Sequence, residues 1–251
     1  MVVDVLSFST ATTIMTGRGS IVYPHAWPSD EVEAFAQARD AAWAVGRRDV
    51  SAEHPWSLSP AHLIAAPTVD RLVLPSPNGS AISAAAAAAV GSPTAATAAA
   101  GSPAARVPTA GSATGGVPAE GAVLAGCLRN ASAVAAWLVD AGYGTPERPA
   151  TVIAAGERWP DGELRPALED LLGAAAIIAA LDGHTVRAPE AAVAEVGWFA
   201  HRHHAAEFLR ESYTGLELIG RGYDADVAVA AEYDLQDTVP VLIDGAFRAT
   251  T

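Results

Sequence analysis

Val2-Val3-Asp4-Val5-Leu6-Ser7-Phe8-Ser9-Thr10-Ala11-Thr12-Thr13 opens the chain with an apolar run that breaks into a turn crowded with hydroxyls. A short valine-rich run of this kind reads as a strand buried on both faces, as in a parallel sheet. The pattern recurs. Leu72-Val73-Leu74 runs into Pro75-Ser76-Pro77-Asn78-Gly79-Ser80, and Val152-Ile153-Ala154-Ala155 runs into Gly156-Glu157-Arg158. Val123-Leu124-Ala125 leads into Gly126-Cys127-Leu128-Arg129-Asn130. In open parallel sheets ligands sit beyond the carboxyl ends of the strands. Polar turns at such ends would converge on one pocket, which points to an enzyme acting on a small anionic substrate.

Working outward, Val2–Leu6, Ile21–Tyr23, Arg71–Leu74, Val123–Ala125, Thr151–Ala155, Ala225–Ala231 and Val239–Leu242 read as strands. Helices are expected at Ala11–Thr16, from Ser29 to about Val45, after the Ser59-Pro60 start, and over Gly79–Val90. Further helices are expected over Ala131–Ala141 and Leu168–Leu181, with one or two more across Pro189–Glu211. Alternating strands and helices predict an α/β fold, with helices on both faces of the sheet. One domain over residues 1–251 is expected. Its Gly-, Ser-, Pro- and Ala-rich stretch 101–121 reads as a flexible loop. The first strand begins almost at residue 1, so either the true start lies upstream or a leading strand has been lost. A sheet edge exposed by such a loss would favour a homodimer or aggregation.

The composition narrows the function classes. With 251 residues, 51% of them apolar, the chain can bury a sizeable core. Its net charge is −13, and all 15 Lys-or-Arg positions are Arg. That surface argues against nucleic acid and anionic membranes as partners. No uninterrupted apolar run reaches the roughly 18 residues of a membrane span. One cysteine, Cys127, excludes an internal disulfide and fits a reducing cytoplasm.

Several residues carry chemistry. Asp4 lies within an apolar run, where a carboxylate needs a partner: it reads as a metal ligand, a pocket carboxylate or a structural acid. Ser7, Ser9, Thr10, Thr12 and Thr13 put five hydroxyls in seven residues, more than a helix cap requires. With helix N–H groups they could bind phosphate or sulfonate. The turn at Asn78, Gly79 and Ser80 has the same design, Gly79 allowing close backbone approach. Asn130 reads as an N-cap or a pocket amide. Arg158 and Arg165 are candidates for bidentate contact to an anion. Glu169 and Asp170, at the start of an apolar helix, could hold a hard divalent cation or only complement the helix dipole. His201-Arg202-His203-His204 reads as a solvated helix face rather than a zinc site.

These turns, in this order, resemble the 2-phosphosulfolactate phosphatase (ComB-like) family. The residues that carry the likeness are Val3-Asp4-Val5-Leu6, Pro77-Asn78-Gly79-Ser80, Ala125-Gly126-Cys127-Leu128-Arg129-Asn130-Ala131, Ala154-Ala155-Gly156-Glu157 and Leu168-Glu169-Asp170. Weaker agreement runs on to Val239-Pro240. The resemblance implies a three-layer α/β sandwich with a largely parallel central sheet, and a Mg²⁺-dependent phosphatase acting on a small anionic phosphorylated acid, 2-phosphosulfolactate. On that model Asp4, Glu169 and Asp170 hold the metal and Asp4, Glu157 and Asn130 are catalytic. Ser9, Thr10, Asn78, Gly79 and Ser80 cradle phosphate, and Arg158 or Arg165 holds the second acid group. The chain departs from the family pattern at Ser7, where the resemblance implies an arginine. A non-catalytic anion-binding paralogue, or a lyase or isomerase of small carboxylic acids, would use the same pocket.

Overall fold

The computed structural model describes residues 1–26, 31–90, 121–181 and 183–250. The expectations for a helix start at Ser29 and for a loop over most of 101–121 fall outside these residues.

The fold is α/β and contains a parallel sheet. In that sheet β1 (Val2–Val3) lies between β5 (Ala125–Gly126) and β6 (Ile153–Ala154), with Val2 opposite both Ala125 and Ile153. A second sheet has the order β3 (Ala42–Trp43), β4 (Arg71–Ser76), β2 (Ile21–Ala26), β10 (Ala246–Thr250), β9 (Val239–Ile243). Strands β3, β4 and β2 run parallel there, while β10 is antiparallel to its neighbours. An isolated antiparallel bridge from Leu124 to Val241 joins the two sheets. Through that bridge the two sheets continue edge to edge, and their pairings are largely parallel as expected, with β10 the antiparallel strand between β2 and β9. A hairpin of β7 (Glu157–Arg158) and β8 (Leu164–Arg165) stands apart.

The first strand is shorter than its apolar run. The ladder stops at Val3 because the Val5 N–H donates to the Asp170 carboxylate at 2.7 Å, and the Ser9 N–H already bonds to the Asp4 carbonyl. Helix α1 (Phe8–Gly17) thus starts a turn earlier than the sequence suggests, and Phe8 to Thr16 are all buried. A helix so rich in Ser and Thr can lie in a core because its hydroxyls bond back to backbone carbonyls: Thr10 to Val5, Thr13 to Ser9 and Thr16 to Thr12, each at 2.8 Å. Around α1 pack Leu63, Leu72, Leu74 and Phe247. The larger core joins Val3, Val5 and Leu128 to α5 (Ala131–Asp140) and the almost wholly buried α6 (Leu168–Ala180).

Two expectations are corrected. The helix expected to continue to Val45 ends early as α2 (Val32–Gln37). Asp40 takes a left-handed conformation at φ 51°, the Ala41 N–H bonds back to Ala36, and Ala42–Trp43 then pairs with Leu72–Val73 as β3. Strand pairing and burial here override alanine's helix propensity. The alternating run expected as a strand at Ala225–Ala231 is instead α10 (Asp224–Ala230). Asp226, Val227 and Ala230 share its buried face, a helical spacing, and Asp224 and Asp226 complement the dipole in its first turn. The short helix after Ser59 forms as expected: α3 (Pro60–Ala65) is capped by the Ser59 hydroxyl, which accepts from the His62 N–H at 3.2 Å. Among the described residues, no helix is long and apolar enough to cross a membrane.

Candidate active site

The residues just beyond β1, β3, β4 and β6 line one cavity of about 400 Å³. Its carboxylates include Asp4 and Glu157, and its arginines Arg47, Arg158, Arg165 and Arg221. A larger cavity of about 720 Å³ beside α6 and α7 (Pro189–His201) is walled mainly by Ala, Val, Leu and Pro, with Arg187 and Glu190 on its lining. It lacks the facing acids and bases of the first.

The turn after β4 holds both pocket carboxylates. The Gly79 N–H donates to Asp4 Oδ2 at 2.9 Å, and the Asn78 side-chain amide donates to Glu157 Oε2 at 2.7 Å. The Phe8 N–H supplies a second bond to Asp4, at Oδ1, 3.0 Å. Gly79 permits this approach because a Cβ there would fall 2.4 Å from the Phe8 ring and 2.7 Å from Asp4 Oδ2. Behind Asp4 lies Asp170. Its Oδ1 accepts from Val5 N–H and its Oδ2 from Gly156 N–H, at 2.7 and 2.8 Å, so one side chain ties the turn after β1 to the turn after β6. Gly156, at φ 71°, makes a turn that L side chains resist.

Asp4, Glu157, Glu169 and Asp170 thus crowd together, and the carboxyls of Asp4, Glu157 and Asp170 titrate high. Burial, opposed by N–H bonds from Phe8 and Gly79 and reinforced by Glu169, raises Asp4 to about 6. Burial and the neighbouring Asp4 push Glu157 up to about 7, against the pull of Asn78 and Arg165. Burial and Asp4 also raise Asp170 well above the usual carboxylate range. Glu169 is 1% exposed, and among the described residues its Oε2 finds no hydrogen-bond partner.

This crowding has a measurable consequence. A carboxyl whose folded value exceeds its unfolded one binds a proton in the fold that the unfolded chain releases. The resulting stability is present below about pH 4 and is lost as pH rises through about 6 to 7, the folded values of Asp4 and Glu157. Metal-free protein in EDTA is expected to melt lower at about pH 8 than at about pH 5, and Glu157→Gln to narrow that gap. Thermal melts of both proteins across this range check it; a gap that Glu157→Gln leaves intact would rule out Glu157 as a source.

The basic residues come from different elements. Arg165 is 6% exposed, and its guanidinium carbon stands 4.3 Å from the Tyr213 ring centroid and 5.4 Å from that of Trp159. Its nearest acid is Glu217, at 4.0 Å, which also pairs with Arg221. Both Glu217 and Tyr213 lie on α9 (Tyr213–Gly220). Arg158 donates to the Gly162 carbonyl within the hairpin at 3.1 Å. Arg47 reaches Ser7, the position at which the chain departs from the family pattern, with Nη2 2.6 Å from the hydroxyl oxygen.

Of the residues expected at the site, Asp4, Asn78, Glu157, Arg158 and Arg165 line the cavity. The others do not, and each has a reason. Ser9 and Thr10 are fully buried in α1, their hydroxyls donated to the Val2 and Val5 carbonyls. Ser80 donates to the Leu74 carbonyl, and the Gly79 amide serves Asp4 rather than a phosphate. Asn130, 0% exposed, accepts from Cys127 N–H and donates to the Thr238 carbonyl, bracing the turn after β5. Glu169 and Asp170 stand behind Asp4, away from the cavity wall. Three carboxylates converging on a metal, as Asp4, Glu169 and Asp170 were expected to do, are not formed: among the described residues no group of three or more His, Cys, Asp or Glu side chains is arranged to hold a metal ion. His201, His203 and His204 are exposed at the junction of α7 and α8 (Ala205–Glu211). Cys127 is fully buried.

Sequence reasoning missed Arg47, Glu217 and Arg221. For Arg47 a signal was present. Ala41-Ala42-Trp43-Ala44-Val45 followed by Gly46-Arg47 is one more apolar run ending in a polar turn, hidden by reading it as a helix.

A family model described as 2-phosphosulpholactate phosphatase matches residues 108–245. The chain belongs to that family. No curated protein matches it. The phosphosulpholactate phosphatase match takes in Glu157, Arg158, Arg165, Glu217, Arg221 and Asp226. Asp4, Arg47 and Asn78 lie outside it, so the N-terminal motifs that first carried the likeness enter the site through the fold.

Proposed function

We propose that the chain hydrolyses the phosphate monoester of a small acid bearing a second anionic group, 2-phosphosulfolactate by family resemblance, with Mg²⁺ as cofactor. The observation that carries this reading is the pairing, in one cavity at the ends of parallel strands, of carboxylates Asp4 and Glu157 with the buried Arg165, whose guanidinium makes no hydrogen bond among the described residues.

The donor set fits the metal. Mg²⁺ is typically held by one or two carboxylates, with substrate phosphate and water completing its shell. Asp4 and Glu157 offer hard oxygens at the cavity wall, and their pKa values are raised first by burial and then by neighbouring carboxylates, a crowding of acids that a cation would relieve. Bound there, Mg²⁺ would supply charge stabilisation to the phosphoryl group and lower the pKa of a coordinated water. Asn78 orients Glu157, and Gly79 and Phe8 orient Asp4. Arg165 fixes the second acid group of the substrate, stiffened by the rings of Trp159 and Tyr213.

The test is phosphate release from 2-phosphosulfolactate, phosphoglycolate and phospholactate, with Mg²⁺ and then with EDTA. Release that stops in EDTA is expected, as is a fall of about tenfold or more in kcat/KM for doubly anionic substrates in Arg165→Ala. A folded protein that releases no phosphate from any of them refutes the reading.

A further inference from the structure

We propose that Arg47 binds the phosphoryl group in this cavity and that Asp226 is the residue that positions it. The inference rests on the phosphomonoester reading above and assigns one subsite within it.

Arg47 follows β3 and lines the cavity with Asp4 and Ser7. Its Nε donates to Asp226 Oδ2 at 3.0 Å, and its Nη2 donates to the Ser7 hydroxyl at 2.6 Å and to the Leu58 carbonyl at 3.3 Å. Among the described residues nothing accepts from Nη1. The side chain is 18% exposed. A guanidinium fixed at two nitrogens, with the third unspent, is pre-organised for an anion and loses little freedom on binding one.

Its location selects the phosphoryl group over the second acid. Ser7 is the N-cap of α1, so Arg47 adds its charge to the positive end of that helix, in the same turn as Asp4. Arg165 and Arg221, by contrast, pair with Glu217 on α9, away from the N-terminus of α1.

Asp226 holds this geometry from the other half of the chain. It is 1% exposed, and its Oδ1 accepts from the Ser59 hydroxyl and from the Ala61 N–H at 3.1 Å. With both oxygens occupied, it fixes Arg47 at Nε while Ser7 and Leu58 hold Nη2. Asparagine there would turn an amide N–H₂ towards Arg47 Nε, or else towards the two donors at Oδ1, and so release the guanidinium while leaving its charge in the protein.

Calorimetric titration of inorganic phosphate in Mg²⁺ buffer, with thermal melts to establish folding, tests the proposal. The proteins compared are wild type, Arg47→Ala, Arg47→Lys, Asp226→Asn and Arg165→Ala. Phosphate binding is expected to weaken about tenfold or more in Arg47→Ala and several-fold in Asp226→Asn. Arg47→Lys should recover part of it. Arg165→Ala should weaken phosphate binding less than Arg47→Ala does, and should raise KM most for substrates with a second acid. Wild-type phosphate affinity in folded Arg47→Ala, or in Arg47→Lys and Asp226→Asn where Arg47→Ala does not fold, overturns the proposal and leaves the phosphatase reading standing. A wild type that binds unphosphorylated diacids but no phosphate overturns both.

Discussion

Replacing Asp4 by asparagine is expected to cut phosphate release by about a thousandfold or more, with the protein still folded. Asp4 is a cavity carboxylate held in place by the backbone. Two backbone N–H groups are aimed at its two oxygens, from α1 on one side and from the turn after β4 on the other. Asparagine keeps the shape but offers a single acceptor oxygen. One N–H, of Phe8 or Gly79, would face an amide donor, a loss of about 1–3 kcal/mol. That is too little to unfold a domain of ordinary stability. The charge is gone, and with it one of the two carboxylates that would hold Mg²⁺ at the cavity wall. Kinetics with Mg²⁺, read beside a thermal melt, separate the two effects. A folded Asp4→Asn protein that keeps more than about a tenth of wild-type kcat/KM would remove Asp4 from the chemistry.

The sequence was most legible where local pattern and tertiary environment agree. Gly79–Val90 reads as a helix and is one, and Ser59-Pro60 announces α3 through a cap that the structure contains. Asp4, Asn78 and Glu157 were found because each follows an apolar run, which is what a parallel strand ending at a pocket looks like. The hydroxyls of Ser9 and Thr10 misled for a physical reason. A Ser/Thr-rich turn before a helix looks the same whether its hydroxyls face a ligand or bond back to carbonyls inside a core, and only the burial of α1 decides. Asn130 and Asp170 share this ambiguity: a buried side chain that braces two turns and one that binds substrate need the same residue types. The hairpin carrying Glu157 and Arg165 did have a local signal, the Asp161-Gly162 pair between its strands. Arg47 had none beyond its own turn, because its role depends on Asp226, 179 residues away.

Asp170 is expected to matter for stability more than for ligand contact. Its carboxylate accepts the Val5 and Gly156 amides, so removing it in Asp170→Ala leaves two buried N–H groups without partners, at about 1–3 kcal/mol each. Part of that loss is returned, because a carboxyl whose pKa burial raises so far is itself costly to keep in the core. A net loss of about 2–4 kcal/mol follows, lowering Tm by about 4–16 °C for a chain of this length. Asp170→Asn, which retains one acceptor, should fall between. Activity should drop in the same order, since Val5 and Gly156 adjoin Asp4 and Glu157 and loosening their turns separates the pair. Adding Mg²⁺ should raise Tm in the variants as in wild type, because Asp170 does not line the cavity. That last measurement discriminates. If Asp170→Asn melts close to wild type in EDTA yet gains nothing from Mg²⁺, Asp170 is a metal ligand and not a brace. If it melts lower and gains the full Mg²⁺ shift, the carboxylate behind Asp4 holds the two turns together, and the cation site is made by Asp4 and Glu157.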